Sequence, residues 1–132
     1  MANMSNRYDL KFLAWVILPN HIHWLLAPCK ADYSKLVFTF KKAVSSKYKM
    51  RGSLSTGDKF WQDRFWEHTI RDNDERRQYV EYIHYNPVKH NLVTSPRDWQ
   101  HSSFQEYVDS GIYPMNWSDG DLIVVPGLEY DL

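Results

Sequence analysis

Two histidines lie inside an apolar, strand-like run, and this pair restricts the fold and chemistry of the chain more than any other feature. The run 14–27 is mostly apolar but contains His21 and His23. In a strand, side chains two residues apart point to the same face, so the imidazoles would project together, about 6–7 Å apart. Polar rings in an apolar segment need hydrogen-bond partners or a metal ion. The pair is a candidate cation site, and a hydrogen-bonded core pair is the alternative.

The chain is one domain in length, with its charges unevenly distributed. It has 132 residues and a net charge of zero, yet all 16 Lys and Arg lie at or before Arg97, together with nine acids. From Asp98 onward there are seven acids and no Lys or Arg. A basic body indicates a polyanionic partner, for which an acidic tail could compete, although a tail that is merely solvated is the alternative. We predict a domain over residues 1–117 and an acidic arm over 118–132.

Composition also indicates the cellular compartment that the protein occupies. No apolar run approaches the roughly 18 residues of a membrane span, so no membrane partner is expected. The single Cys29 excludes an internal disulfide and fits a reducing cytosol. We therefore expect a cytoplasmic protein.

Extended structure is predicted in two parts of the chain. Residues 8–18 and 21–27 favour extended β segments, and a single long strand kinked at Pro19 is one option for them. The aromatic-rich segment 60–70 predicts one or two further short strands. Its rings would belong to the core or, alternatively, stack on unpaired bases.

A lysine-bearing helix is predicted over residues 34–50. Apolar side chains recur there at about 100° per residue, Asp32 or Ser34 can cap the start, and Gly52 marks the end. Three lysines spaced seven apart lie opposite the apolar side and are either a solvated face or phosphate contacts: Lys35, Lys42 and Lys49.

A second helix is predicted over residues 72–86, and a short final helix over 102–108. Asp72 followed by Glu75 has the spacing of a capping box, and Pro87 is expected to end the helix. Tyr82 and Asn86 are one turn apart on the same surface.

Four motif blocks follow one another along the chain. They are Pro-Asn-His-Ile-His-Trp-Leu-Leu at 19–26, Phe-Trp-Gln-Asp-Arg-Phe-Trp at 60–66, Tyr-Ile-His-Tyr-Asn-Pro-Val-Lys-His at 82–90, and Trp-Gln-His-Ser-Ser-Phe at 99–104. In this order they resemble the REP-associated tyrosine transposases, which belong to the IS200/IS605-like single-tyrosine transposases of the HUH endonuclease class. The resemblance extends over about residues 12–117.

The resemblance implies an α+β fold, an antiparallel sheet with helices packed on it, of the ferredoxin-like or RRM-like HUH type. It also implies that this chain lacks the family's first strand and helix, which would leave an unpaired sheet edge beside the active site. Carried over, Tyr82 is the nucleophile, and His21, His23 and Asn86 bind one divalent ion. Two imidazoles and an amide oxygen suit Mg²⁺ or Mn²⁺, with Mn²⁺ the better chemical match.

The resemblance implies single-stranded or hairpin DNA as the partner, with association with the nucleoid when DNA is bound and a homodimer as one option. Candidate contacts to the DNA backbone are Lys35, Lys42, Lys49 and Arg64. Such contacts position a strand without specifying its sequence.

Several alternatives remain open. Tyr79 and Tyr85 are rival nucleophiles, although neither has a candidate ligand one turn later. His84 could contact the substrate, whereas His68, His90 and His101 are taken as ordinary polar residues. In place of an active transposase, the chain could be a catalytically weak hairpin-binding relic or an unrelated metal-dependent phosphoesterase that uses no covalent tyrosine.

Overall fold

The computed structural model describes residues 10–27, 32–52, 55, 57 and 59–118. The chain divides into two compact units, residues 1–11 with 28–69 and residues 12–27 with 70–132. The predicted acidic arm lies outside the described residues, except for Ser118. None of the helices in the described part has the length and apolarity that a membrane-spanning segment needs. The elements are β1 (Phe12–Ile17), β2 (Ile22–Leu26), α1 (Tyr33–Met50), α2 (Asn73–Lys89), a 3₁₀ turn (Pro96–Asp98) and α3 (Phe104–Asp109).

The two strands form an antiparallel hairpin rather than one kinked strand. Val16 lies opposite His23, and Ile17 lies opposite Ile22. The Leu18 N–H donates to the His21 carbonyl over 2.9 Å, which closes a tight turn. The turn contains Pro-Asn, in which proline fixes φ and asparagine readily forms turns. The option of a single kinked strand is therefore wrong, because the chain reverses where it was expected only to bend.

Residues 101–103 line the other edge of β1 through an isolated β-bridge between Val16 and Ser102. The Ile17 N–H donates to the His101 carbonyl over 2.8 Å, and the Ser103 N–H donates to the Trp15 carbonyl over 2.9 Å. This edge of β1 is thus paired, and α3 begins at Phe104, two residues later than predicted. An antiparallel sheet with helices, the predicted α+β class, is confirmed.

The core of the second unit forms where α2 and α3 pack on the hairpin. Alternate residues of β1 are fully buried, as strand periodicity requires. The buried cluster consists of Ala14, Val16, Leu18, Leu25, Val80, Ile83, Phe104 and Tyr113. Val80 and Ile83 are three residues apart, so one face of α2 is anchored here.

Helix α2 begins as predicted and ends later than predicted. The Asp72 carboxylate accepts from the Glu75 N–H over 2.8 Å, while Glu75 accepts from the Arg71 N–H over 2.6 Å. The helix continues past Pro87 to Lys89, so the predicted end is wrong. Proline removes one hydrogen-bond donor, but Pro87 is fully buried, and the His90 N–H still closes the last turn onto the Asn86 carbonyl at 3.0 Å.

Helix α1 in the first unit follows the prediction closely. The Asp32 carboxylate accepts from the Lys35 N–H over 3.2 Å, and Gly52 has a φ of +71° directly after the C-cap Arg51. A left-handed residue at this position is the usual stop of a helix and favours glycine.

The aromatic segment after α1 contains no strand, contrary to prediction. Residues 59–69 are irregular, because side chains rather than a backbone ladder hold them. Trp61 Nε1 donates to Ser45 Oγ over 2.8 Å, and Lys41 Nζ donates to the Gln62 carbonyl over 2.8 Å. Phe60, Phe65 and Trp66 are 36–62% exposed, so the expectation that these rings form core is wrong.

Candidate active site

One face of α2 carries the candidate nucleophile and the candidate amide ligand. Tyr82, Asn86 and His90 follow one another at intervals of four residues and therefore lie along one side of the helix. Tyr82 is 4% exposed and Asn86 is fully buried. Because α2 packs on β1 and β2, this face can meet the side chains of the hairpin.

The two predicted histidines lie against the face of α2 that carries Tyr82 and Asn86. His21 lies in the turn just before β2 and His23 lies within β2, and their ring centroids are 4.9 Å apart. The His23 ring lies 5.8 Å from the ring of Tyr82, and the His21 ring lies 5.0 Å from that of His90. The structure therefore brings the predicted ligands and the predicted nucleophile together in one unit.

The hydrogen bond between Asn20 and His21 sets the tautomer of the His21 ring. Asn20 Oδ1 can only accept, so His21 Nδ1–H donates to it over 2.6 Å. The lone pair of the neutral ring is then on Nε2. Within the described part of the chain, neither His21 Nε2 nor Asn86 Oδ1 completes a hydrogen bond of good geometry. Leaving two buried acceptors without hydrogen bonds costs free energy. A cation bound by both atoms would satisfy them.

Burial keeps both histidines neutral. It lowers the pKa of His23 to about 3, and the charges of His21 and His90 act in the same direction. Burial also lowers the pKa of His21, followed by the charge of His90, while the nearby Asn86 side chain acts in the opposite direction. Metals bind the neutral imidazole, so both rings are in the protonation state that a metal would require.

A third metal ligand beside the two histidines would have to be the amide oxygen of Asn86. Among the described residues, no three His, Cys, Asp or Glu side chains are grouped as a metal site. Two imidazoles and one amide oxygen are therefore the ligands that this cluster offers. An open depression of about 280 Å³ adjoins it, lined by Leu18, Pro19, Asn20, His21, His90 and Leu92.

The predictions missed two residues at the end of α2. Lys89 Nζ donates to Tyr82 Oη over 2.8 Å. His90, predicted to be an ordinary polar residue, lies beside His21. Spacing could have found both, because Lys89 is seven residues after Tyr82 and His90 is four after Asn86. Because the predicted helix ends before Pro87, the sequence does not place Lys89 and His90 on its face.

The remaining candidates lie elsewhere. His84 is fully buried, where its Nε2 and Nδ1 make hydrogen bonds with Ser103 Oγ at 2.8 Å and Tyr113 Oη at 3.3 Å. It is a core residue, so the suggested substrate contact is wrong. Tyr79 lies close to Glu75 and Arg71. The predicted DNA contacts Lys35, Lys42, Lys49 and Arg64 are exposed residues of the first unit.

Comparisons with known proteins identify the family of the chain. The family model described as "Transposase IS200 like" matches residues 1–86. A REP-associated tyrosine transposase of Escherichia coli is 39% identical over 111 residues, which cover 83% of this chain and 62% of the relative. A Haemophilus influenzae protein assigned to the same group is 36% identical over 130 residues, covering 91% of this chain and 73% of that protein. This chain therefore spans less than two thirds of the E. coli relative's length.

A solved structure supports the same assignment. The structure of a REP-associated tyrosine transposase bound to a REP hairpin matches with a TM-score of 0.71 and 32% identity, over 94% of this chain and 76% of that one. The chain belongs to the IS200-like transposase family, within its REP-associated tyrosine transposases.

Proposed function

We propose that this protein cleaves and rejoins single-stranded DNA beside hairpins through a covalent 5′-phosphotyrosine at Tyr82. The observation that carries the proposal is the packing of the Tyr82 ring 5.8 Å from that of His23, with His21 in the same cluster. A helix tyrosine that merely filled the core would not need two imidazoles and an amide beside it. The hairpin DNA bound by the structural relative supports a substrate of the same kind.

A divalent ion would be held by His21, His23 and Asn86. When bound, it polarises the scissile phosphate and stabilises the charge that develops there. Mg²⁺ and Mn²⁺ both suit oxygen ligands, and the two imidazoles favour Mn²⁺.

The chemistry of Tyr82 explains why cleavage can be reversed. Attack by its hydroxyl oxygen on phosphorus releases a 3′ hydroxyl and leaves the phosphate on the protein. The phosphodiester energy is conserved in the new bond, so a 3′ hydroxyl of a second strand can attack it and rejoin the DNA without ATP. Nucleophilic catalysis of this kind divides one transfer into two.

Basic side chains of the first unit would contact the DNA backbone. Lys35, Lys42 and Lys49 lie on α1, and Arg64 lies in the aromatic segment. All four are exposed, which leaves their charges accessible to phosphates. The exposed ring of Trp66 offers a surface on which an unpaired base could stack.

One experiment tests the proposal against its alternatives. The protein is incubated with Mn²⁺ and hairpin-bearing single-stranded oligonucleotides, including the REP hairpin of the structural relative, and products are separated on a denaturing gel. We expect a covalent protein–DNA adduct that is lost in Tyr82→Phe and retained in the control Tyr79→Phe. Binding without an adduct would indicate a hairpin-binding relic. Cleavage that survives Tyr82→Phe would exclude the tyrosine mechanism and favour a metal-dependent phosphoesterase.

A further inference from the structure

The hydroxyl of Tyr82 has a partner that the proposed mechanism does not yet use. Lys89 follows Tyr82 by seven residues, or two turns of α2, so both side chains lie on one face. Lys89 Nζ donates to Tyr82 Oη over 2.8 Å and lies 4.8 Å from the centroid of the Tyr82 ring. A cation is therefore in direct contact with the atom that would attack phosphorus.

The surroundings of Lys89 strengthen this contact. A lysine near the surface usually extends its ammonium into water, whereas Lys89 folds back over the buried Tyr82 ring. Burial lowers the pKa of Lys89, because the charged form is less well solvated there. Lys89 as a whole remains exposed, so its effect on Tyr82 Oη comes from the direct 2.8 Å hydrogen bond.

We propose that Lys89 is a catalytic residue of the strand-transfer reaction. Its ammonium stabilises negative charge on Tyr82 Oη, both when this oxygen attacks and when it leaves. The inference rests on the proposed function of Tyr82, and it adds a residue whose contact is with the nucleophile rather than with the metal ligands.

In cleavage, the bond between Tyr82 Oη and phosphorus forms and the bond between phosphorus and the 3′ oxygen breaks. The phenol proton passes to water, and the departing 3′ oxygen takes a proton from water. In rejoining, a 3′ hydroxyl attacks phosphorus and loses its proton to water. Tyr82 Oη then leaves as a phenolate, held by the Lys89 hydrogen bond until water protonates it.

The first test measures the rate of adduct formation in a single turnover at saturating hairpin oligonucleotide with Mn²⁺. We expect Lys89→Met to slow this step by about 100-fold, the usual cost of removing one donor from a developing oxyanion. Lys89→Arg should recover most of the rate, because it keeps the charge and the donor. Lys47→Met, which removes an exposed lysine of α1, should react like the wild type. DNA affinity should be unchanged in all three, and thermal unfolding shows whether each is folded.

A second test separates stabilisation of the nucleophile from a structural role. Replacing Tyr82 by 3,5-difluorotyrosine makes the attacking phenol more acidic, so its oxygen needs less stabilisation. In this background, we expect Lys89→Met to slow adduct formation by about tenfold or less. A lysine that only held the helix or the ring in place would cause the same loss in both backgrounds. Lys89→Gln, a second uncharged variant, repeats the comparison if Lys89→Met does not fold.

The outcomes are distinct for the two proposals. If the wild type forms no adduct, the proposed function fails, and the role of Lys89 fails with it. If the wild type forms the adduct and Lys89→Met forms it equally fast, only the role of Lys89 is overturned. A third outcome is that Lys89→Met binds DNA more weakly, with a salt dependence reduced by about one phosphate contact, while the rate at saturating DNA is unchanged. This outcome would identify Lys89 as a phosphate contact and would also overturn the proposal.

Discussion

At the scale of single residues, hydrogen bonds between polar side chains orient the groups of the site. Asn20 accepts from His21, which directs the His21 lone pair toward the side of Asn86. Groups that orient a metal ligand in this way affect metal affinity nearly as much as the ligands do. Asn20 is exposed, so its contribution can be tested without disturbing the core.

We therefore expect Asn20→Ala to weaken Mn²⁺ binding by about tenfold. The reason is that the His21 ring loses the acceptor that fixes its tautomer and orientation. Isothermal titration of the DNA-free protein with Mn²⁺ measures this directly. Asn116→Ala, at another exposed position, serves as the control, and equal affinities in the two variants would contradict the role of Asn20.

His84 makes the stability of the fold depend on pH. Burial lowers its pKa to about 3, whereas in the unfolded chain it has the ordinary value of about 6.5. Below about pH 6.5 the unfolded state binds a proton that the folded state does not, so stability falls as the pH is lowered toward 3. The expected loss from this residue is about 1.4 kcal/mol in total between pH 7.5 and 5.5, and it approaches about 1.4 kcal/mol per pH unit only below that range.

The measurement is urea unfolding at several pH values from about 7.5 to 5.5 in the presence of EDTA. His84→Gln should be less stable than the wild type at the upper pH, yet should lose less stability as the pH falls. His23, whose pKa is also lowered to about 3, would supply part of the dependence that remains, together with His21 and His90, whose pKa values burial also lowers. Parallel curves for the two proteins would refute the assignment to His84.

At the scale of elements, α2 is the part of the chain that assembles the site. Its start is fixed by Asp72, its middle is anchored in the core through Val80 and Ile83, and its last turn presents Lys89 and His90. A loss of stability at the first turn should therefore affect folding without touching the chemistry at the other end.

We expect Asp72→Ala to lower the free energy of unfolding by about 1 kcal/mol, as is typical of a lost N-cap. Asp74→Ala removes an exposed carboxylate from the same turn and should cost only a few tenths of a kcal/mol. Chemical denaturation of both variants measures the difference. A similar cost for the two would mean that Asp72 acts through its charge alone.

Prediction from sequence succeeded where an element is specified by neighbouring residues. The cap and glycine stop of α1, the start of α2 and the spacing of Tyr82 and Asn86 all depend on residues within one or two turns. It failed at Pro87 and in the aromatic segment. Burial of Pro87 overrides its local preference, and Trp61 bonds to Ser45 instead of joining a strand ladder.

At the scale of the whole molecule, the charge distribution bears on the proposed binding of DNA. Residues 119–132 contain four acids, Asp119, Asp121, Glu129 and Asp131, and no Lys or Arg. An acidic segment on the same chain as a basic body competes with DNA phosphates for that body at low salt.

Deleting residues 119–132 should therefore increase affinity for single-stranded DNA, with the gain largest at low salt and lost as salt screens the charges. Fluorescence anisotropy across a salt series measures this. A full-length variant with the four acids changed to Asn or Gln should behave like the deletion. An affinity that the deletion leaves unchanged at every salt concentration would show that the segment is merely solvated.

The sequence by itself determined the pieces of the site that local periodicity controls. His21 and His23 share a side because they are two residues apart in an extended segment, and Tyr82 and Asn86 share a side because they are one helical turn apart. Only the tertiary structure decided how these pieces meet. The turn at Pro19 makes a hairpin, residues 101–103 line β1 through contacts such as Trp15 to Ser103, 88 residues apart, and α2 packs on the hairpin so that the ring of Tyr82 lies beside that of His23. Such contacts depend on packing between distant segments, which no local pattern encodes.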